Sequence, residues 1–441
     1  MPPAEMDLRG LHILLVPAWW PSIEQPTAGI FNVDYARVFV AAGAKVGVVF
    51  PDLVPIRHWR FAQGAGLIPR LIDEQLHDDP PIPVVRIRGL HAALRQPAIQ
   101  MHRYCRWLRR GLARYVSQHG LPDVLHAHCA IPAGWAAVAV RAQWTRWITA
   151  GASSRFRACG SDPGTAGSDS KAGCPAITTP IVFITEHTGP FSLTMTPPAA
   201  GRFTLAALRT ADAVVAVSQH LRQQMQAAGV DRPIEVIPNT IGTEFRFVPA
   251  PAMSNASDGR RIVHVSFVGR LADEKGVWEL AEAAGQLWSD VQFAFHWRFI
   301  GDGPQRAALQ ERLASALPSD RVRFDGPCNR RHVAQALQES HMLVLPSHGE
   351  TFGLAAAEAL AVGRPVVATF TPGCEAIVGP DDGILCPVGR PTELANAIRN
   401  VAAEYARWDG FAMSQRAFQR FGPVRLVEAY ARLIGQLVQR A

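Results

Sequence analysis

Short apolar runs alternate with segments of helical period along almost the whole chain, and the series starts afresh partway through. In the first half the spacing predicts strands at Leu11–Val16, Lys45–Phe50, Val84–Ile87, Val124–His126, Ile181–Thr185, Ala213–Ala216 and Ile234–Ile237. Helices are predicted between them at Gly29–Ala42, Met101–His119, Pro132–Trp147, Phe203–Thr210 and Gln219–Ala228. After a Pro/Ala/Ser-rich stretch, Val248–Gly259, strands return at Ile262–Phe267, Phe293–Phe299, Val322–Phe324, Met342–Leu345 and Pro365–Thr369. Helices at Gly276–Trp288, Gln305–Ala316, Arg331–Glu339, Gly353–Val362 and Thr392–Tyr405 separate or follow them. A strand–helix repeat of this kind implies parallel sheets covered on both faces. Two such series predict an α/β protein with two tandem Rossmann-like, doubly wound domains. Ligands of such sheets sit at the carboxyl ends of the strands, and a cleft between two facing domains is the default site.

The expected boundaries are residues 1–240, residues 241–410, and a tail of helices over 411–441 packing back on the first domain. Residues 151–179, rich in Gly, Ser, Ala and Thr, fit no element and read as an exposed insertion. The chain has 441 residues, 48% apolar and 18% charged, so it has ample material for large cores and no signature of disorder. No run approaches the ~18 unbroken apolar residues of a membrane span, and Leu11–Val16 is too short for a secretory core. A cytoplasmic protein is expected. Seven cysteines at irregular spacing form no metal or disulfide framework.

The net charge of +7 divides unevenly. Residues 1–240 hold 23 Lys/Arg against 16 Asp/Glu, whereas residues 241–441 hold 21 of each. The basic excess therefore lies wholly in the first half. Within it, Met101–His119 sets Tyr104, Leu108, Leu112 and Tyr115 on one helical face and Arg103, Arg106, Arg110 and Arg114 on another. That pattern suits a helix lying on an anionic membrane, and equally a surface helix with its apolar face on the sheet.

Three loops carry chemistry. Glu350-Thr-Phe-Gly-Leu-Ala-Ala-Ala-Glu358 follows the strand Met342–Leu345 and runs into a helix. Gly353 permits a close turn, and the first N–H groups of that helix make an anion site. Glu350 lies before it and Glu358 about 6 Å along it, so the two carboxylates can bracket a phosphorylated ligand. The plain alternative is a loop glutamate and a surface glutamate. Gly269-Arg270-Leu271 and Lys275-Gly276 follow the strand Ile262–Phe267. Arg270 and Lys275 can deliver two cations to one diphosphate, or be two solvated charges. Gly301-Asp302-Gly303-Pro304 is a tight turn, weak evidence by itself.

With these pieces in place the chain resembles the GT-B glycosyltransferases of family 4, the retaining group that uses sugar nucleotides. The resemblance extends to Trp19-Trp20-Pro21-Ser22 and Gly29-Ile30-Phe31, Asp123-Val-Leu-His-Ala-His128, Thr185-Glu186-His187, Pro238-Asn239, and the run from Pro346-Ser347 to Val366. It implies that Arg270 and Lys275 bind the donor diphosphate and that Glu358 holds the ribose hydroxyls. Glu350 would contact the transferred sugar, with the N–H groups of Phe352, Gly353 and Leu354 completing the cradle. His128 would reach the sugar from the opposite domain, and Gly29 would let the first loop approach the donor. Glu350 and His128 are the expected catalytic positioning groups, and Glu186 and His187 would line the acceptor side. The leaving phosphate itself would help deprotonate the acceptor.

The partners implied are a nucleotide-sugar donor and a sugar or lipid-linked acceptor, with possible peripheral membrane contact through 101–119. No cofactor or metal is expected: there is no Asp-x-Asp motif, and no His/Cys cluster has ligand spacing. His126 and His128, two apart, share one strand face, where a buried, hydrogen-bonded histidine is the alternative to a site role. Two competing enzyme readings are a sugar-nucleotide epimerase and a phosphorylase. The second would need a pyridoxal lysine in a chain with only Lys45, Lys171 and Lys275. A basic nucleic-acid-binding protein is the third alternative, but no recognition module accompanies the arginines.

Overall fold

A computed structural model describes residues 8–22, 25–55, 68–76, 78–91, 96–144 and 179–439. The expected insertion at 151–179, with Cys159 and Cys174, lies almost entirely outside the described residues. The chain forms two compact units, residues 1–237 with 427–441, and residues 238–426.

The first unit is built on an eight-stranded sheet: β1 (His12–Pro17), β2 (Lys45–Pro55), β3 (Arg70–Leu76), β4 (Ile82–His91), β5 (Val124–His128), β6 (Ile181–Glu186), β7 (Ala213–Ala216) and β8 (Glu235–Val236). Its order is β3-β4-β2-β1-β5-β6-β7-β8. Every pairing is parallel except β3 with β4. Strands such as β1 and β6 are buried along their whole length, as unbroken apolar runs inside a parallel sheet should be. The sequence pattern missed β3. Its Arg-Leu-Ile-Asp-Glu-Gln-Leu has no alternation, and its charged, mostly exposed side chains suit an edge strand.

Helices α1 (Ile30–Ala41), α2 (Pro97–His119), α3 (Trp135–Arg141), α4 (Pro198–Thr210) and α5 (Gln219–Ala227) accompany this sheet. The predicted helix from Pro132 begins later, because Ala130–Gly134 forms a wider turn with Ile131 in an extended conformation. In α2, Tyr104, Leu108, Leu112 and Tyr115 are buried on the sheet, so its apolar face is covered.

The second unit holds a six-stranded, all-parallel sheet: β9 (Arg261–Val268), β10 (Phe293–Ile300), β11 (Val322–Gly326), β12 (Met342–Leu345), β13 (Val366–Thr369) and β14 (Gly383–Cys386). The order is β11-β10-β9-β12-β13-β14. Its helices are α6 (Val277–Leu287), α7 (Arg306–Ala314), α8 (Arg330–Gln338), α9 (Leu354–Ala361), α10 (Pro372–Glu375), α11 (Pro391–Ala403), α12 (Gly410–Phe421) and α13 (Pro423–Val438), the last running on into the first unit. The tail divides differently from the expectation: α12 packs on α9 within the second unit, and only residues 427–441 cluster with the first.

In both sheets the strand order reverses beside the first strand of the unit. The switch falls between β1 and β5 in one and between β9 and β12 in the other. Loops leaving these strands are where a doubly wound sheet places its ligand. Arg270 and Lys275 follow β9 and Glu350 follows β12, while Trp19 and Gly29 follow β1 and His128 ends β5.

Candidate functional site

In the second unit, Lys275 Nζ donates to Glu350 Oε1 at 2.7 Å, and Ser347 Oγ donates to the same oxygen at 2.8 Å. The two groups expected to face a donor separately therefore hold each other. Their side chains are 26% and 13% exposed, so the pair is partly wet and can exchange partners. Arg270 stands further out, 64% exposed, with Glu274 at 3.5 Å.

Two glycines make the arrangement possible. Gly276 caps α6 with φ 66°, where a Cβ would collide with the Pro346 carbonyl. Gly353 caps α9 with φ 84° and no side chain bonds the helix start. Left-handed backbone at these two positions suits glycine and penalises any Cβ. The uncapped start of α9 is an anion site whose dipole adds to the charge of Lys275. Phe352 is buried with its ring 5.4 Å from Phe421, which fixes the loop from below, and Leu354 is the first helical residue. Gly373 N–H donates to the Glu350 carbonyl at 3.1 Å.

The Gly301–Pro304 turn acquires a role that its sequence alone did not establish. Leu271 N–H donates to the Asp302 carbonyl at 2.9 Å, and Gln305 N–H returns to the Leu271 carbonyl at 3.0 Å. A Cβ on Gly301 or Gly303 would strike the Gly269 or Leu271 carbonyl. This turn therefore positions the arginine loop.

Glu358 departs from expectation. It is 2% exposed and paired with Arg330, whose guanidinium also lies 4.5 Å from the Phe245 ring centroid. Burial pushes its carboxyl pKa up, and Arg330 opposes that shift. Arg330 was not anticipated. The available signal was α9 itself: Leu-Ala-Ala-Ala-Glu-Ala-Leu-Ala is apolar all round, so its one glutamate is buried and requires a partner.

In the first unit, His128 is fully buried, and its Nδ1 lies 2.9 Å from His187 Nε2. Tyr35 meets the His128 ring edge-on at 4.9 Å, and Phe31 lies 4.3 Å from the His187 ring. His126 Nε2 contacts Thr185 Oγ1 at 2.8 Å, and Thr185 Oγ1 in turn contacts Tyr430 OH at 2.6 Å. Burial, then the neighbouring imidazoles, pushes the His128 pKa well below the ordinary histidine range, so the ring is neutral at pH 7. It can orient a hydroxyl but is not a proton-loaded acid. Gly29 abuts the Trp19 carbonyl, to which Asn32 Nδ2 also donates at 2.7 Å.

Glu186 does not line an acceptor surface. It is wholly buried, and its carboxylate accepts the N–H groups of Ala130, His187 and Thr188 at 2.7, 3.0 and 2.8 Å. It organises the turns after β5 and β6. His187 is half-buried, facing Phe31 and His128.

One potential metal trio occurs among the described residues: Asp325, Cys328 and His332, with ligand atoms within 4.8 Å of one another. Arg298 and Arg323 both pair with Asp325, which opposes a cation there. Lys45 donates to the His119 carbonyl and Lys275 to Glu350, while Lys171 lies outside the described residues. No helix among the described residues is long and apolar enough to cross a membrane.

Residues 263–404 match the family model for glycosyl transferases group 1, and residues 162–245 match that for Glycosyltransferase Family 4. The 2-deoxystreptamine glucosyltransferase of Streptomyces kanamyceticus is 29% identical over 206 residues, 44% of this chain and 52% of that protein. A GDP-mannose-dependent alpha-(1-6)-phosphatidylinositol dimannoside mannosyltransferase of Mycobacterium tuberculosis is 37% identical over 140 residues, 32% of this chain and 35% of its own length. The chain thus spans about half or less of the length of these curated relatives. Among solved structures, sucrose-phosphate synthase from Thermosynechococcus elongatus superposes with a TM-score of 0.67 at 20% identity, covering 98% of this chain and all of that one. Anabaena HepE, solved with UDP, gives 0.62 at 18% identity, covering 97% of this chain and 100% of its own. At these identities the likeness is one of fold.

Proposed function

The chain belongs to the GT-B glycosyltransferases of family 4, and from that premise we propose that it moves a sugar from a nucleoside diphosphate sugar to a hydroxyl acceptor with retention of configuration. The observation that carries this reading is the Lys275–Glu350 pair beside the uncapped start of α9, at the switch point of an all-parallel sheet. A diphosphate arriving there competes for Lys275 and releases Glu350 to accept hydrogen bonds from the sugar hydroxyls. Charge that develops on the leaving diphosphate is met by Lys275, Arg270 and the N–H groups at Gly353 and Leu354. Fixed donors of this kind lower the barrier without reorganising. A carboxylate oxygen accepts more than one hydrogen bond, so Glu358 can hold Arg330 and also take a ribose hydroxyl.

The GDP-mannose-dependent relative supports a nucleoside diphosphate donor, and the glucosyl and mannosyl transfer named for the curated relatives supports a hexose. His128 is neutral and fixed by its neighbours within the first unit. No protein nucleophile is assigned. The leaving phosphate accepts the acceptor proton as the new bond forms on the same face. The test is incubation with each common nucleotide sugar and a panel of sugar and lipid-linked acceptors, followed by NMR of the anomeric proton. Transfer with the donor's configuration kept supports the reading, and transfer with inversion contradicts it.

Peripheral membrane contact, if it serves a lipid-linked acceptor, would rest on the exposed arginines of α2. Arg106 and Arg109 are exposed, and Arg110 lies 4.5 Å from the Trp107 ring centroid. Arg114 is already held by Asp73 at 2.7 Å. Co-sedimentation with anionic but not neutral vesicles, weakened by salt, is the expected result.

A further inference from the structure

We propose that a cavity in the first unit, beside β1, is an acceptor site for a polyhydroxylated ring bearing a phosphate. This inference rests on the transferase reading and adds to it the chemical class of the acceptor. The cavity has a volume of about 540 Å³, within the range of sites for small ligands. The loop after β1, the end of β2, Arg88 on β4 and the first turns of α2 form its walls.

Aromatic side chains supply the apolar part. Trp19 is 45% exposed, while Trp20, Phe50 and Tyr104 are buried beside it. Flat rings of this kind receive the C–H face of a sugar or cyclitol while the ring hydroxyls point elsewhere. The polar part is asymmetric. Asp52 and Arg88 are opposite one another in the β2–β4 register, and both Arg88 and Arg86 pair with Asp52 Oδ2. Arg86 is shared with Glu74, and the Asp52 carboxylate remains able to accept ring hydroxyls. Arg103 also lines the cavity, is exposed, and makes no ion pair among the described residues. An uncommitted guanidinium next to an aromatic wall suits a phosphate oxygen pair on the same ring.

The phosphate can belong to a soluble phosphorylated sugar or to a lipid headgroup, and the test separates them. Calorimetric titration of the full chain would use glucose 6-phosphate and inositol 1-phosphate, the parent glucose and inositol, and inorganic phosphate. A parallel arm would use phosphatidylcholine vesicles with and without phosphatidylinositol. At least one phosphorylated ring, free or on the vesicle, is expected to bind tenfold or more tightly than its parent ring or inorganic phosphate. Arg103→Gln should remove that preference, and Trp19→Ala should weaken the ring with and without its phosphate. Equal affinity for parent and phosphorylated rings, a preference that survives Arg103→Gln, or no binding in either arm overturns the proposal. Nucleoside diphosphate titrated into Arg103→Gln should bind as in the wild type. Its failure to bind the wild type would count against the donor reading and leave this one to the ring titrations.

Discussion

The switch-point loops of the second unit and the histidine cluster of the first occupy equivalent places in their sheets but are built on opposite principles. Lys275 and Glu350 are charged, partly wet and joined by one exchangeable hydrogen-bonded pair. His126, His128, Tyr35 and Tyr430 are buried, the two histidines neutral at pH 7, and their rings pack against one another. The first arrangement costs little to rearrange and suits a ligand that must be gripped and released. The second is rigid and sets a surface. The contrast implies that variants in the loops should damage activity more than folding, and variants in the cluster folding more than donor binding.

The largest effect is expected where the second unit borrows the other principle. Glu358→Ala removes the carboxylate from a buried pair with Arg330, and loss of one member of such a pair costs about 3–5 kcal/mol. Urea denaturation should show it, and a loss below 1 kcal/mol would mean the pair is not truly buried. Next come Lys275→Ala and Glu350→Ala, each expected to lower turnover about 10²- to 10³-fold. Their stability should hardly change, because partly exposed pairs contribute little. A large drop in stability with normal turnover would reverse the comparison.

The histidine cluster should show itself through pH. Burial, then the charge of His187, lowers the His126 pKa from 6.5 to about 3. The unfolded chain takes up a proton that the folded chain refuses. Stability is therefore intact above pH 6.5 and falls as pH drops towards 3, by roughly 2 kcal/mol between pH 7 and 5 for one such histidine. Equilibrium denaturation at the two pH values should show the loss, and His126→Asn should reduce it. The smallest effect is expected for Tyr430→Phe, which removes the hydroxyl bonded to Thr185 and should cost about 1 kcal/mol. Calorimetry can detect that loss, and nucleotide affinity should stay unchanged.

Much of this was legible in the chain, for reasons that differ by element. Unbroken apolar runs such as Ile-Leu-Leu-Val in β1 can only be buried strands or buried helix segments, and their flanks decided between the two. The edge strand β3 escaped because its charges obey no period, and β14, also an edge strand, because Gly-Ile-Leu-Cys is only partly buried. At the site, the glycines and charges of the donor loops were visible as motifs. That Lys275 and Glu350 hold each other was not, since 75 residues separate them and nothing local encodes the contact. Glu186 misled for a related reason. At a strand end it resembles a ligand group, and only the folded turns after β5 and β6 show the three N–H groups that it satisfies.

The most direct test of the donor site is thermal denaturation of the wild type, Lys275→Ala and Glu350→Ala against a panel of nucleoside diphosphates and their sugars. One nucleoside diphosphate should raise the wild-type Tm in a concentration-dependent way. Its effect should shrink strongly in Lys275→Ala, while Glu350→Ala should lose mainly the extra stabilisation given by the sugar. No shift with any nucleotide, or equal shifts in all three proteins, would contradict the assignment of these loops to a sugar-nucleotide donor.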